Sequence, residues 1–203
     1  ILTRNPDERI PSIRLVGADL EALLDDHPPT TSATVKLAKD QNIASSFLTT
    51  PVASHRHNLP RPNTPFVGRE AELHDLLTLL HDPQVQLVTI IAQGGMGKTR
   101  LSIEVGKALL EHYTDGVYFV ELAPLATAED IPSAIAEVLG YPFNSGSSPQ
   151  AQMAAYFRDK TCLLILDNFE HVLGGRDLVQ AILQEAVESK ILVSSRERLN
   201  LSS

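Results

Sequence analysis

The sequence has a single cysteine, no long apolar run and no cluster of basic residues. Cys162 lies in an apolar stretch, so a disulfide framework or a multi-cysteine metal site is excluded within the chain, as expected for a reducing cytoplasm. The sequence has no apolar run long enough to span a membrane, so we expect no membrane span. It also does not begin with a basic stretch followed by an apolar one, so we expect no secretory signal. A net charge of −8 with no basic stripe argues against nucleic-acid binding by this segment.

The length of 203 residues suits one sizeable α/β domain with an appendage. The chain begins at Ile1 and ends at Ser203 without structural punctuation, which is typical of a fragment of a longer protein. Composition predicts three parts, which are a helical segment over 1–24, a flexible linker over 25–62 and an ordered domain over 63–203.

The most informative stretch is a β-branched apolar run, then a glycine-rich turn, then Lys98-Thr99 and a helical pattern. That order of strand, loop and helix indicates a P-loop nucleotide site, where glycines allow successive N–H groups to face one concavity. Lys98 can reach the β- and γ-phosphates, and the Thr99 hydroxyl can bind Mg²⁺. The predicted nucleotide-binding residues of the loop are Gln93, Gly94, Gly95, Met96, Gly97, Lys98, Thr99 and Arg100.

One position departs from the full P-loop spacing, which would place its first glycine where this chain has Ala92. Alanine disfavours a positive φ, so Ala92 either tightens or strains the turn.

A second motif follows the apolar run that ends at Leu166, where Asp167 is placed at the carboxyl end of a buried strand. This Walker B pattern predicts that Asp167 binds Mg²⁺ together with Thr99. The next residue is Asn168, which can orient a water molecule but cannot take its proton at neutral pH. Glu170 is the nearby alternative for that role, and we expect slow hydrolysis.

Three features resemble the STAND signalling ATPases, which are relatives of the NB-ARC and AAA+ proteins. Residues 66–72 resemble their hhGRExE motif, which implies that Phe66, Val67 and Arg69 lie beside adenine and ribose. The form Leu-Asp-Asn-x-Glu-His around Asp167 also occurs in those regulators. The strand and small hydroxyls before Arg196 resemble their sensor strand, which implies that Arg196 faces the γ-phosphate.

The first two dozen residues resemble the tail of a bacterial Ser/Thr protein kinase, with its pattern L-x-x-N/D-P-x-x-R-x-x-S. The matching positions are Leu2, Asn5, Pro6, Arg9 and Ser12. Ser12 is also a good helix N-cap, and apolar residues from Ile13 to Leu24 then share one helical face, so we expect a helix there.

The predicted fold is therefore an α/β P-loop NTPase sandwich of three layers. We expect a parallel sheet with strands near 87–92, 117–122, 162–167 and 190–194. The resemblance implies that the last of these lies between the P-loop and Walker B strands. Because the resemblance also implies a further strand and helical domains beyond this chain, we expect an open apolar sheet edge and a half-open nucleotide pocket.

Three functions follow from these patterns. The leading one is a cytoplasmic signalling switch that binds ATP or ADP with Mg²⁺, hydrolyses ATP slowly and acts through self-association or downstream domains. The second is an ATPase that couples rapid turnover to mechanical work. The third, a protein kinase, describes only a parent chain, because no kinase catalytic residues occur in this sequence.

Overall fold

The structure is a computed structural model that describes the backbone of residues 14–17 and all of residues 56–199. The rest of the predicted N-terminal segment and most of the predicted linker lie outside the described residues. Within the described part of the chain, no helix combines the length and the apolar character needed to cross a membrane.

A five-stranded sheet forms the centre of the domain that the structure describes. Its strands are β1 (Arg14–Gly17), β2 (Leu87–Ile91), β3 (Gly116–Glu121), β4 (Cys162–Asp167) and β5 (Lys190–Ser195). The spatial order is β1-β2-β5-β4-β3, and the pairs β2–β5, β5–β4 and β4–β3 are parallel. This confirms the four predicted parallel strands and the position of the predicted sensor strand, β5, between β2 and β4.

Strand β1 corrects two expectations. It pairs antiparallel with β2, with Leu15 opposite Ile90, so the helix predicted from Ile13 to Leu24 is wrong over these four residues. It also covers the β2 edge of the sheet, where an open edge would leave backbone groups unpaired. The short apolar run before Gly17 is compatible with the periodicity of a helix and with that of a strand. Because the edge of β2 would otherwise leave N–H and C=O groups unpaired, pairing with β2 favours the strand.

The opposite edge of the sheet, β3, is covered by the last part of the predicted linker. Val117 N donates to Arg56 O at 3.0 Å. The Asn58 side chain donates to Phe119 O at 2.7 Å and accepts from Phe119 N at 2.6 Å. The packed domain therefore includes residue 56, upstream of the boundary at 63 that composition predicted. The Asn58 amide makes the two hydrogen bonds that a residue of a neighbouring strand would make, and this does not require a strand-like sequence pattern.

Among the described residues, five α-helices lie on the two faces of the sheet. They are α1 (Glu70–His81), α2 (Lys98–Ala108), α3 (Ile131–Leu139), α4 (Pro149–Phe157) and α5 (Arg176–Glu185). Alternate strand residues face opposite layers, as the two-residue period of a strand requires. Val117, Leu163 and Leu192 pack with α1 and α2, whereas Leu164 and Val193 pack with α3, α4 and α5. The predicted three-layer sandwich is confirmed.

The parallel strands bring three chemically important segments to one end of the sheet. The carboxyl ends of β2, β4 and β5 are followed by the glycine-rich loop, by Asn168 and by Arg196, respectively. Ligands bind outside this end in open α/β sheets, so the fold directs attention to this edge.

Candidate functional site

The glycine-rich loop connects β2 to α2 in a conformation that depends on its glycines. Gly95 and Gly97 have φ values of 76° and 75°, in the left-handed region that side chains disfavour. The first helical bond runs from Leu101 N to Gly97 O at 3.0 Å. Within the described residues, no backbone N–H of 95–99 donates a hydrogen bond. The loop and helix start thus present a group of free donors, which is the chemistry that binds a phosphate.

Ala92 adopts its position without left-handed strain. Asn168 is the one residue other than glycine with a positive φ in the described part of the chain. Ala92 N donates to Ser195 O at 3.3 Å, so Ala92 extends the pairing of β2 with β5. The missing first glycine therefore does not strain the turn.

Lys98 folds back over the loop. The residue is 6% exposed, and its Nζ donates to Ala92 O at 2.9 Å and to Gln93 O at 3.3 Å. The backbone carbonyls hold the ammonium group inside the curve of the loop. A cation at this position is suited to neutralise a bound phosphate, as the sequence predicted.

Asp167 ends β4 and is 1% exposed, which makes it the most deeply buried acid described at this end of the sheet. Thr99 Oγ1 donates to its Oδ2 at 2.7 Å, and Ser194 Oγ donates to its Oδ1. The two residues predicted to bind metal are therefore brought together by α2 and β4. Ser194 was not among the predicted site residues, although its hydroxyl, two residues before Arg196 in the predicted sensor strand, is a signal that could have indicated it.

Asn168 adopts a left-handed conformation, with φ 64° and ψ 45°. Its backbone N donates to Ser194 Oγ at 3.0 Å, and its side-chain Nδ2 donates to Asp167 Oδ2 at 3.2 Å. Asparagine tolerates this backbone region better than most residues. The residue that follows Asp167 is thus fixed by polar contacts on both its backbone and its side chain.

Glu170 and Arg196 form an ion pair, with Oε1 2.9 Å from Nε. The Glu170 side chain is 9% exposed and the Arg196 side chain 57%. Arg196 also lies against the loop, because a Cβ added to Gly94 would come within 3.2 Å of Nη2. The structure therefore brings Arg196 to the phosphate loop and places Glu170 behind it.

A cleft of about 500 Å³ lies over the loop. It is lined by Pro62, Thr64, Gly94, Gly95, Met96, Gly97, Lys98, Thr99, Arg100, Ile103, Asn168 and Arg196. Pro62 and Thr64 were missed because they lie in a proline-rich stretch that composition assigned to the linker or its border. Arg100 fixes this wall, since its Nη2 donates to Thr64 O at 2.6 Å.

Val67 and Arg69, which the resemblance placed beside the base, are not among the residues that line this cleft. Val67 is 78% exposed. Arg69 is partly buried just before α1, and its Nη1 has no hydrogen-bond partner among the described residues. Their assignment to the base therefore stays a prediction.

The oxygen atoms around Asp167 have the chemistry that Mg²⁺ requires. Carboxylate and hydroxyl oxygens are hard ligands, and magnesium is commonly bound by one or two such groups together with phosphate oxygens. Asp167 and Thr99 supply one of each, at the edge of the phosphate loop. The residues present therefore fit a Mg²⁺–nucleotide complex.

A family comparison agrees with this geometry. The model of the NB-ARC domain matches residues 69–200, which is more than half of the chain. The chain belongs to the NB-ARC family. Its NB-ARC domain is a nucleotide-binding P-loop domain, and the match begins at Arg69, at the start of α1.

Individual relatives match much of the chain. An uncharacterized protein of Mycobacterium tuberculosis is 32% identical over 152 residues, which are 74% of this chain and 38% of that protein. A putative HTH-type transcriptional regulator of the same species is 34% identical over 120 residues, which are 59% of this chain and 13% of that protein. The chain thus spans well under half the length of these relatives.

A solved structure of another protein has a similar fold. Cdc6p from Pyrobaculum aerophilum superposes with a TM-score of 0.52 at 17% identity, over 69% of this chain and 41% of that chain. At this identity the likeness concerns the fold alone.

Proposed function

We propose that this NB-ARC domain is a nucleotide-operated switch of the STAND type, which binds ATP or ADP with Mg²⁺ and hydrolyses ATP slowly. One contrast carries the proposal. The groups that would hold nucleotide and metal, Lys98, Thr99 and Asp167, are preassembled. The groups that would activate water are not preassembled. The residue after Asp167 is Asn168, which is not an acid, and the nearby acid Glu170 is paired with Arg196.

Binding would rest on the loop and the start of α2. The free N–H groups of residues 95–99 and the Lys98 ammonium would hold the phosphates, with the positive end of the α2 dipole behind them. Thr99 and Asp167 would hold Mg²⁺, which neutralises charge on the β- and γ-phosphates when bound. The side chains of Lys98, Thr99 and Asp167 are already within hydrogen-bond distance of a neighbour in the site, so they need little rearrangement.

The proposal of slow hydrolysis rests on the two residues near Asp167 that could activate water, Asn168 and Glu170. The Asn168 amide donates to Asp167, and an amide cannot accept a proton from water at neutral pH. Glu170 is absent from the described residues that line the cleft. A domain that retains nucleotide and rarely hydrolyses it suits regulation better than mechanical work, which needs rapid turnover.

The switch would act within a larger signalling or transcription-regulatory protein. The relatives are much longer than this chain, and one of them is described as a putative HTH-type transcriptional regulator. We propose that the γ-phosphate changes self-association or contacts with downstream domains. A fusion to a Ser/Thr kinase is proposed on the resemblance of residues 1–24 alone.

Titration of the chain with ATP, ADP and GTP, each with and without Mg²⁺, tests the proposal. We expect ATP and ADP to bind more tightly than GTP, Mg²⁺ to strengthen ATP binding, and the molar mass in solution to differ between the ATP and ADP states. Absence of binding would overturn the nucleotide site. Binding with the same mass in both states would overturn the assembly switch.

A further inference from the structure

The carboxylate of Glu170 is a buried charge with one charged partner among the residues that the structure describes. It lies in the 3-10 turn Phe169–His171, which follows β4 directly. Neither of its oxygens has a well-aligned hydrogen-bond donor among the described residues. Arg196 Nε lies 2.9 Å from its Oε1 and is its one ion-pair partner in the described part of the chain. Because a buried carboxylate without hydrogen bonds is costly, the Arg196 guanidinium is the group that stabilises this charge.

The other end of the same guanidinium faces the phosphate loop. Its Nη2 is the atom nearest to the position of a Cβ on Gly94, at 3.2 Å, so a side chain larger than glycine would press on it. Arg196 and Gly94 both line the cleft, whereas Glu170 does not. The guanidinium therefore extends from a buried acid to the loop backbone, with its Nε toward the acid and its Nη2 toward the cleft.

This arrangement resolves a problem posed by the exposure of Arg196. A long arginine side chain that is 57% exposed has many rotamers, and their loss opposes any interaction with a ligand. Glu170 is held rigidly by its burial and by its position one turn after β4. A fixed negative charge at Nε limits those rotamers before any ligand arrives.

The geometry points to a positioning role for Glu170: it holds the Arg196 guanidinium over Gly94, where the terminal phosphate of a nucleoside triphosphate meets an oriented pair of donors. The inference rests on the proposed function, in that it takes the cleft as the nucleotide site. Glu170 then determines how strongly the site distinguishes a triphosphate from a diphosphate. It acts through Arg196 and does not activate water.

Two other roles for Glu170 predict different effects on nucleotide affinity. A general base would affect hydrolysis and leave both affinities unchanged. A counter-charge that restrains Arg196 away from the phosphate would, when removed, increase the affinity for ATP. The affinities for ATP and ADP, measured separately, distinguish all three.

The experiment compares the full chain with its Glu170→Gln variant by calorimetric titration with Mg-ATP and Mg-ADP. Glutamine keeps the size of the side chain and removes the charge. We expect the affinity for ATP to fall about tenfold, because the rotamer freedom of Arg196 is restored. The affinity for ADP should stay within about twofold, which also shows that the variant is folded. The matched control is Glu197→Gln, an exposed acid next to Arg196 along the chain, which should change neither affinity.

A double-mutant cycle completes the test. In an Arg196→Ala background, Glu170→Gln should cause no further loss of ATP affinity, because the two residues act as one unit. Unchanged or increased ATP affinity in the single variant, an additive loss in the double variant, or a parallel loss of ADP affinity would overturn the inference. Failure of the unmodified chain to bind either nucleotide would instead overturn the proposed function itself.

Discussion

The two ends of the central strands carry different kinds of polar groups. At the carboxyl end, Asp167 is buried among Thr99, Ser194 and Asn168, all of which donate to it. At the amino end, the Asp115 carboxylate accepts from Thr161 N at 2.9 Å and from Lys160 Nζ at 3.1 Å. The first set encloses an acid beside a cleft, and the second joins the loops that enter neighbouring strands.

The two ends differ in how many of their polar groups lack a partner among the described residues. Among the described residues beside Asp167, the glycine-rich loop has N–H donors without acceptors, and Lys98 Nζ has only backbone partners. Beside Asp115, the charges are neutralised within the protein, and an ion pair with Lys160 is present. We infer that the carboxyl end is organised for a ligand and the amino end for stability, and substitutions at the two ends should separate these effects.

The largest expected effect is that of Lys98→Ala on nucleotide binding. Removal of a cation that would bind phosphate through charge-assisted hydrogen bonds should weaken the affinity for ATP about 100-fold, as measured by calorimetry. Lys107→Ala is the matched control, since Lys107 lies on the same helix and pairs with Glu104 at the surface. Tight Mg-ATP binding by Lys98→Ala would refute the assignment of the site.

The next effect separates metal binding from nucleotide binding. Asp167→Asn removes the charge that would attract Mg²⁺, so the gain in ATP affinity on addition of Mg²⁺ should fall by about 10- to 100-fold. Titrations with and without Mg²⁺ measure that gain directly. Asp177→Asn, at an exposed position on α5, should leave the gain unchanged. An unchanged Mg²⁺ gain in Asp167→Asn would place the metal elsewhere.

These two effects concern the part of the molecule that could be predicted from sequence. The P-loop and Asp167 each occupy a short, continuous pattern, where the spacing of residue types along the chain specifies the chemistry. The partners of Asp167 are less predictable, because Ser194 lies 27 residues away and a strand serine has no distinctive pattern. The same holds for the pair Glu170–Arg196, which only the adjacency of β4 and β5 brings together.

The errors at the edges of the sheet have a related cause. Residues 14–17 are joined to β2 by pairing across more than 70 positions of sequence, and local periodicity contains no information about such a partner. Asn58, which composition assigns to a linker, pairs with β3 through its side-chain amide. Both segments depend on unpaired backbone groups that exist only after the sheet has formed.

The smallest expected effect tests the amino end. Asp115→Ala leaves Thr161 N–H without its acceptor and should lower the free energy of unfolding by about 1–2 kcal/mol at pH 7, with nucleotide affinity unchanged. The bond from Thr161 N–H is the largest of several contacts that hold the pKa of Asp115 below its usual value of 3.8. The stabilisation is thus complete above the unfolded pKa and is lost as the pH falls through the folded one.

Denaturant unfolding of both proteins between about pH 7 and pH 2 measures this dependence, and the difference in unfolding free energy should shrink below about pH 4. Asp159→Ala, an exposed acid near Lys160 in sequence, is the control and should show little change at any pH. A loss of nucleotide affinity in Asp115→Ala would contradict the division of the two ends.

The central claim is that this NB-ARC domain retains nucleotide without rapid hydrolysis, and a single-turnover measurement with Mg-ATP tests it most directly. With the chain in excess over ATP, we predict full binding and a hydrolysis rate constant of about one per minute or slower, as in switch proteins without a supplied catalytic group. Hydrolysis at about one per second or faster, with rapid release of ADP, would contradict the account and favour an ATPase driven by turnover.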